Sequence, residues 1–397
     1  MSTPPAHLVI IGAGIQGASV AYFTSKLSPS TRITVVESNP KIAAHASGKG
    51  GGFLARSWGD GSVTQELHHR SFDLHKELAA EWKLKSYRKL PVLSVQPGSK
   101  KFKKTKSTPN WLDGFGGSTS SMGDGSDTAQ VTPFEFTSEA LLRSNASVLT
   151  SSTVSSISTS SSGDEVTSVE LTSGDSIECD SVVVCAGPWS CLASTWFPTI
   201  NLPMVGIKST SIVWPRRPES DGVALFCGED DEFNTHLEVY PRPNGEIYCC
   251  GVGGSNYVQD SDLKDYLYLD ATTCNAQPSR VEAAKRSMHK MSQTYKSAFP
   301  EGPETTQACM RPCPPDALPI ISTVPGYKNA FINAGHNCWG ILWAPISGQI
   351  LSEMIVEGRS SVNIEAFDVR RFGVREVQNR QGGRGRKKGS EQVGEQW

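Results

Sequence analysis

The sequence predicts an α/β protein in two parts, a Rossmann-like domain and a second, mainly antiparallel β domain. Three observations carry this. Residues Leu8 to Glu37 read as strand, glycine turn, helix and strand. The apolar run Ser181 to Ala186 leads straight into Gly187, as a central parallel strand does when its end faces a ligand. Between residues 203 and 260, alternating segments are separated by Pro and Gly turns, which is the texture of an antiparallel sheet. The length of 397 residues suits about two such domains.

In the first stretch, Leu8-Val-Ile-Ile11 is followed at once by Gly12-Ala13-Gly14-Ile15-Gln16-Gly17. Gly12 permits a tight turn, Gly14 lets backbone approach a pyrophosphate, and Gly17 lets the helix pack closely on the strand. The helix N-terminus, at Ile15 and Gln16, offers free N–H groups and partial positive charge to phosphates. Glu37, with Ser38 after it, ends the next strand where a carboxylate would accept from ribose hydroxyls. The plainer alternative is an ordinary glycine-rich turn. Ser47, Gly48 and Gly50 to Gly52 form a second loop in which backbone can lie against a flat or charged ligand; the alternative is a flexible surface loop.

Composition excludes several classes. The chain is 37% hydrophobic and 20% charged, ordinary for a globular protein. Its formal net charge of -2 argues against coating a nucleic acid. No apolar run approaches the roughly 20 residues of a membrane span. The binding pattern begins by residue 8, so no cleavable leader is expected before it. All ten cysteines lie between Cys179 and Cys338, without a CxxC pair or zinc-like spacing, and are expected to be reduced and mostly buried. These features place the protein in the cytoplasm or on the cytoplasmic face of an organelle.

Along the rest of the chain, residues 64–85 carry apolar positions at helical spacing, and His68, His69 and His75 read as solvated helix residues. Residues 97–130 read as loop, with Lys100 to Lys106 a solvated basic insertion or a membrane- or partner-binding patch. A helix is expected over Pro133 to Asn145, then short strands over 148–185 with a Ser-rich hairpin tip. Val154 opens one of these strands and could present backbone to an adenine. A helix is expected over 278–299, strands over Leu318 to Ile321 and Ala330 to Asn333, and a helix from about Pro345 to Glu357. The tail beyond about Arg375 is polar and Gly-rich and is expected to be disordered. No internal repeat is visible.

Several segments together resemble one family. They are Val9 to Gly17 with Glu37, the Ser47 to Gly52 loop, and Val183-Val-Cys-Ala-Gly-Pro-Trp189. The others are Tyr240 to Gly245, Met310 to Pro319, and Asn333 to Gly348. In this order they resemble the FAD-dependent D-amino-acid oxidase superfamily, most closely its glycine oxidase and sarcosine oxidase-like branch. The resemblance implies an FAD-binding domain of the glutathione reductase-like, Rossmann-like type, from residues 1–85, 140–200 and 305–370. A mainly antiparallel β substrate domain with insertions would take 86–139 and 201–304. It implies cofactor contacts at Gly12, Gly14, Ile15, Gln16, Gly17, Glu37, Ser38, Ser47, Gly48, Gly51, Val154, Ala186, Gly187 and Trp189. The last block adds Gly335, His336, Asn337, Trp339, Gly340, Ile341 and Leu342, where backbone amides at a turn would meet the flavin pyrimidine edge.

For the substrate, the resemblance points to Arg311, whose planar guanidinium suits a carboxylate; a structural salt bridge is the alternative. Tyr240, with Tyr248, would roof the substrate or simply pack. Cys309 stands seven residues before Asp316, the spacing of a covalent flavin attachment, and is otherwise a plain buried cysteine. The implied activity is oxidation of the C–N bond of a small amine or amino acid to an imine. Hydride would pass to flavin N5 and dioxygen would be reduced to hydrogen peroxide. Lys49 or Lys208 could supply positive charge for oxygen reduction. A flavin dehydrogenase with another acceptor is the second reading. A non-catalytic FAD protein peripheral to endosomes, using the basic run and tail, is the third.

Overall fold

The computed structural model describes residues 3–103, 108–115, 117–216, 222–265 and 269–374. At its centre the strand His7–Ile11 lies between Arg32–Val36 and Ser181–Val184, all parallel, with Leu8 opposite both Ile33 and Ser181. Ala330–Ala334 continues the sheet in parallel, Ile320–Thr323 closes that edge antiparallel, and Ser147–Leu149 forms the other edge. Successive side chains of a strand point to opposite faces, so Leu8 and Ile10 enter one core and Val9 and Ile11 another. Helices cover the first face; the meander Val154–Thr159, Val166–Leu171 and Ser176–Glu178 packs on the second.

Two long helices on the first face pack against each other, Ile15–Leu27 and Gly340–Glu357. Their approach depends on Gly348, where a Cβ would lie 2.6 Å from the backbone of Ser19. The second helix begins five residues before Pro345, where the sequence pattern started it. Proline has no N–H to offer the carbonyl four residues back, which normally breaks a helix. Here the freed Ile341 carbonyl accepts from His75 Nε2 at 2.9 Å. Ser71 Oγ bonds the Leu342 carbonyl at 2.5 Å and accepts from the Ile346 N–H at 3.3 Å. Neighbouring side chains repair the ladder.

This corrects the reading of two histidines. His68 and His75 are buried inside the fold, not solvated on the helix Gln65–Trp82, while His69 faces solvent and meets Asp60. His68 bonds the Ala55 carbonyl at 3.0 Å. Burial lowers His75 to about 4, so its imidazole is neutral. Histidine tolerates either environment, and periodicity alone cannot choose.

The second sheet runs Asn256–Val258, Val205–Trp214, Ile247–Cys250, Glu238–Pro241, Ala224–Cys227, Val92–Gln96 and Ser118–Gly123. Thr305–Cys313 pairs along Val205–Trp214, with Arg311 opposite Ile207 and Cys309 opposite Ser209. The sheet is antiparallel except where Ala224–Cys227 lies parallel to Val92–Gln96. Residues 97–130, expected as loop, contain the strands Ser118–Gly123 and Thr128–Gln130. The first is an edge strand of Ser, Thr, Met and Gly, held by backbone bonds, so it carries no apolar alternation to read. The helix expected over 278–299 is two helices, Pro278–Met291 and Gln293–Ala298, with Ser292 capping the second through the Tyr295 N–H at 3.0 Å.

Among the described residues no helix is long and apolar enough to cross a membrane, and no group of residues is arranged to hold a metal. All ten cysteines are free thiols, seven of them buried. Residues 104–106 of the basic run, residue 107 after it, and the tail from residue 375 lie outside the described residues.

Candidate functional site

The first glycine turn has the tight contacts its sequence requires. Gly12 holds φ +110°, and a Cβ there would lie 2.5 Å from the Cys185 carbonyl. At Gly17 a Cβ would lie 2.0 Å from the Gly12 carbonyl, so helix and turn are in direct contact. Gly14 differs, because only the Ser47 side chain stands near its would-be Cβ. Its backbone is therefore the open edge of the turn. The Ile15 N–H donates to Ser47 Oγ at 2.9 Å, which ties the second glycine loop to the first.

Glu37 is buried, and its Oε2 accepts from the Ala13 N–H at 3.0 Å. Its Oε1 accepts from the Asn39 backbone at 2.9 Å and side chain at 3.0 Å. A carboxylate oxygen accepts more than one hydrogen bond, so this clamp fixes the group and still leaves acceptor capacity. Beside it opens a cavity of about 440 Å³ lined by Ser38, Asn39, Thr153, Thr172, Leu269 and Asp270. Val154 is buried next to Thr153. The rim is a strap that sequence reasoning missed. Asn39 donates to the Leu269 carbonyl and accepts from the Ala271 N–H, and His45 Nε2 bonds the same Leu269 carbonyl. The His45 ring leans on Trp189 at 4.6 Å between centroids. Gly187, at φ +56°, has open space on its Cβ side.

The last block forms a turn from Gly335, at φ +77°, through Asn337, at φ +45°, into the helix Gly340–Glu357. His336 is buried, bonds Ser347 Oγ at 3.0 Å, and is lowered by burial to about 3. It is a neutral anchor of the turn. Leu342 is likewise turned into the core. What these residues can offer a ligand is backbone, while the Asn337 Oδ1 is buried without a partner. The Gln16 amide donates to the Gly340 carbonyl at 2.7 Å and accepts from Asn333 Nδ2 at 3.2 Å. Its side chain joins the two turns.

Between the turns the loop Gly50 to Gly52 is sandwiched. A Cβ on Gly50 would lie 2.8 Å from Ile341, and one on Gly51 would lie 2.6 Å from the Tyr240 ring and 3.0 Å from Tyr248. The inward face of the second sheet therefore lies over this loop and carries Tyr240, Tyr248, Cys309 and Arg311. Lys49 donates from Nζ to the Ala308 carbonyl at 2.9 Å, and Gln307 bonds the Lys49 carbonyl at 3.0 Å. Arg311 is half-buried and ion-pairs with no carboxylate among the described residues, and its Nε is buried without a partner. Among the described residues Arg311 thus makes no structural salt bridge.

Burial raises the Cys309 thiol to about 11, Cys274 adding to it while Arg311 and Lys49 oppose it. Burial also raises Tyr240 and Tyr248 well above the ordinary tyrosine value, so both hydroxyls are hydrogen-bond groups and not bases. Tyr240 donates to Glu238, a neighbour sequence reasoning did not single out. Phe53, Trp58 and Phe226 were also missed. They pack with Tyr240 and Trp339 into one aromatic wall, with Phe53 to Trp58 at 5.2 Å and Trp58 to Phe226 at 5.1 Å. Their alternation within strands could have flagged Glu238 and Phe226; nothing in sequence brings Trp58 to them.

An extended dinucleotide fits this cleft. The open backbone at Gly14 suits a pyrophosphate, the clamped Glu37 carboxylate suits a ribose, and the turn at Asn337 carries an unpaired buried polar atom. The chain belongs to the FAD dependent oxidoreductase family DAO, which it matches over residues 7–354. It is 27% identical over 395 residues to the Schizosaccharomyces pombe protein C1F5.03c, named there as a candidate oxidoreductase, covering 91% of this chain and 97% of that one. Its fold is shared with L-amino acid deaminase from Proteus vulgaris (TM-score 0.73, 16% identical, 94% and 99% of the two chains covered). It is also shared with glycine oxidase from Geobacillus kaustophilus (TM-score 0.70, 14% identical, 93% and 99% covered). The protein is an FAD-dependent oxidoreductase.

Proposed function

We propose that this oxidoreductase converts the C–N bond of a small amino acid or related amine to an imine, with dioxygen as final acceptor. The observation that supports it most is Arg311, a cation in the wall of the cleft whose Nε is buried and unpartnered. A buried donor without a partner is costly, and a substrate carboxylate would supply the guanidinium with a bidentate pair.

Gly12, Gly14, Ile15, Gly17, Ser47 and Gly48 would hold the FAD pyrophosphate, and Glu37, Ser38 and Val154 the adenosine end. Ala186, Gly187, Trp189, Gly51 and backbone from Gly335 to Ile341 would frame the flavin. Bound FAD supplies the hydride-accepting chemistry and the route of electrons to dioxygen. Arg311 orients the substrate carboxylate, and Tyr240 and Tyr248 close the cleft from above and exclude water. No general base is needed if the substrate binds as the neutral amine, which agrees with the raised tyrosines. Lys49, fixed by carbonyls at the cleft wall, places a positive charge there.

The test is anaerobic mixing of the FAD-loaded protein with amino acids and amines, followed by an oxygen pulse. Bleaching of the flavin band by an amine, fast recovery with oxygen and equimolar peroxide are expected. Bleaching with slow recovery would assign another acceptor, and no bleaching by any amine would overturn the reading.

A further inference from the structure

We propose that the site selects an amino acid whose side chain ends in a second cation, Arg311 taking the α-carboxylate and Glu238 the distant cation. This rests on the amine-oxidising reading above and names its substrate class.

Glu238 stands directly opposite Cys250 and Phe226 in the sheet, and Tyr240 opposite Tyr248. Residues two apart on a strand share a face, so Glu238 shares that of Tyr240, which meets Gly51 over the cleft. The Tyr240 hydroxyl and the Cys250 thiol, at 3.5 Å, both donate to one oxygen, Oε2. No Lys, Arg or His ion-pairs with Glu238 among the described residues. The wall therefore carries a half-buried carboxylate and a half-buried guanidinium that pair neither with each other nor with other charged side chains. Cys338, in the turn across the cleft, lies near enough to both for each to act on its thiol.

Three strand spacings, about 14 Å, and a register offset of four residues, about 13 Å, separate the two backbones, roughly 19 Å in all. Side chains reaching inward from both ends leave a gap suited to a ligand with opposite charges several bonds apart. The wall beside Glu238 is aromatic: Phe53, Trp58, Phe226 and Tyr240 lie 5.1–5.8 Å apart between ring centroids. Ring faces attract a cation and accommodate an aliphatic stem. A neutral short amino acid would leave Glu238 unpaired, whereas an ornithine- or lysine-like one pairs both charges.

The test uses α-methyl amino acids, which lack the α-hydrogen and cannot be oxidised. Binding of α-methylornithine and α-methylnorvaline to the FAD-loaded protein is measured by calorimetry, alongside anaerobic flavin reduction by ornithine, lysine, leucine and glycine. The cationic analogue is expected to bind about tenfold tighter or more, and Glu238→Gln to reduce that ratio to about one to two. Trp58→Leu, at an exposed ring, provides an independent variant and should lower the ratio about threefold. Equal binding of both analogues by the wild type, or a ratio unchanged in both variants, overturns the proposal. Reduction by leucine or glycine as fast as by ornithine keeps the amine oxidase and overturns the selectivity. If no amine reduces the flavin, the oxidase reading fails, and the binding ratio still decides the role of Glu238.

Discussion

The side-chain amide of Gln16 donates to the carbonyl of Gly340 at 2.7 Å, across 324 residues of chain. One residue lies in the first turn of the helix Ile15–Leu27, after the Gly12 turn; the other opens the helix Gly340–Glu357, after the Gly335 turn. The same amide accepts from Asn333, on the strand that leads into the second turn. The two turns are thus held in register by one side chain, whose second N–H is left over after the bond to Gly340.

Gln16→Leu should therefore weaken cofactor retention without preventing folding. Loss of the bonds to Gly340 and Asn333 should cost about 1–3 kcal/mol. Equilibrium dialysis of FAD, with a thermal melt of the FAD-free protein, checks this; unchanged affinity would show the link to be incidental.

The glycines of the first turn should separate into two kinds. Gly12→Ala and Gly17→Ala place a Cβ 2.5 and 2.0 Å from carbonyl oxygens and should cut the folded yield sharply. Gly14→Ala meets only the Ser47 side chain, at 3.0 Å. It should fold, by circular dichroism, and bind FAD poorly.

Arg311→Ala should leave the flavin spectrum intact and weaken carboxylate-bearing substrates by about 100-fold or more, the scale of losing one side of a buried charge pair. Arg311→Lys should recover only part of this, since an ammonium has no planar fork. Concentration dependence of anaerobic reduction measures both.

Acid should destabilise the protein through His75. Its folded value of about 4 lies below the ordinary 6.5, so between these the unfolded chain binds a proton the folded chain refuses. Stability is complete above 6.5 and declines as pH falls toward 4. His336 acts in the same sense, toward about 3. Melting temperatures across this range should fall less in His75→Gln, whose amide can still donate to Ile341 and does not titrate.

Cys309 should leave the flavin free. With its thiol raised to about 11 by burial, acid precipitation of the holoprotein should release the yellow colour into the supernatant. Colour retained in the pellet, and lost in Cys309→Ser, would assign a covalent bond instead.

Much of the cofactor half could be read from sequence because its signals are local. Gly12, Gly14, Gly17 and Glu37 fall within one strand–turn–helix–strand unit, where backbone sterics tie residue type to position. The helix at Pro345 was misplaced because its missing bond is repaired by Ser71 and His75, far away in sequence. Periodicity misreads His68 and His75 as solvated because an imidazole packs neutral in a core and sits equally well in solvent, so it carries no burial signal of its own.

The sequence by itself determined the parallel sheet, the glycine turn and the order of the segments, since these follow from periodicity and backbone permission. Only the tertiary structure decided that Gln16 bridges the two turns and that Arg311 stands without a carboxylate partner among the described residues. It also decided that Glu238 shares a wall with Phe53, Trp58 and Phe226. Such relations depend on which strands become neighbours and in what register, and a register is settled by packing between distant segments, not by the residues of either one.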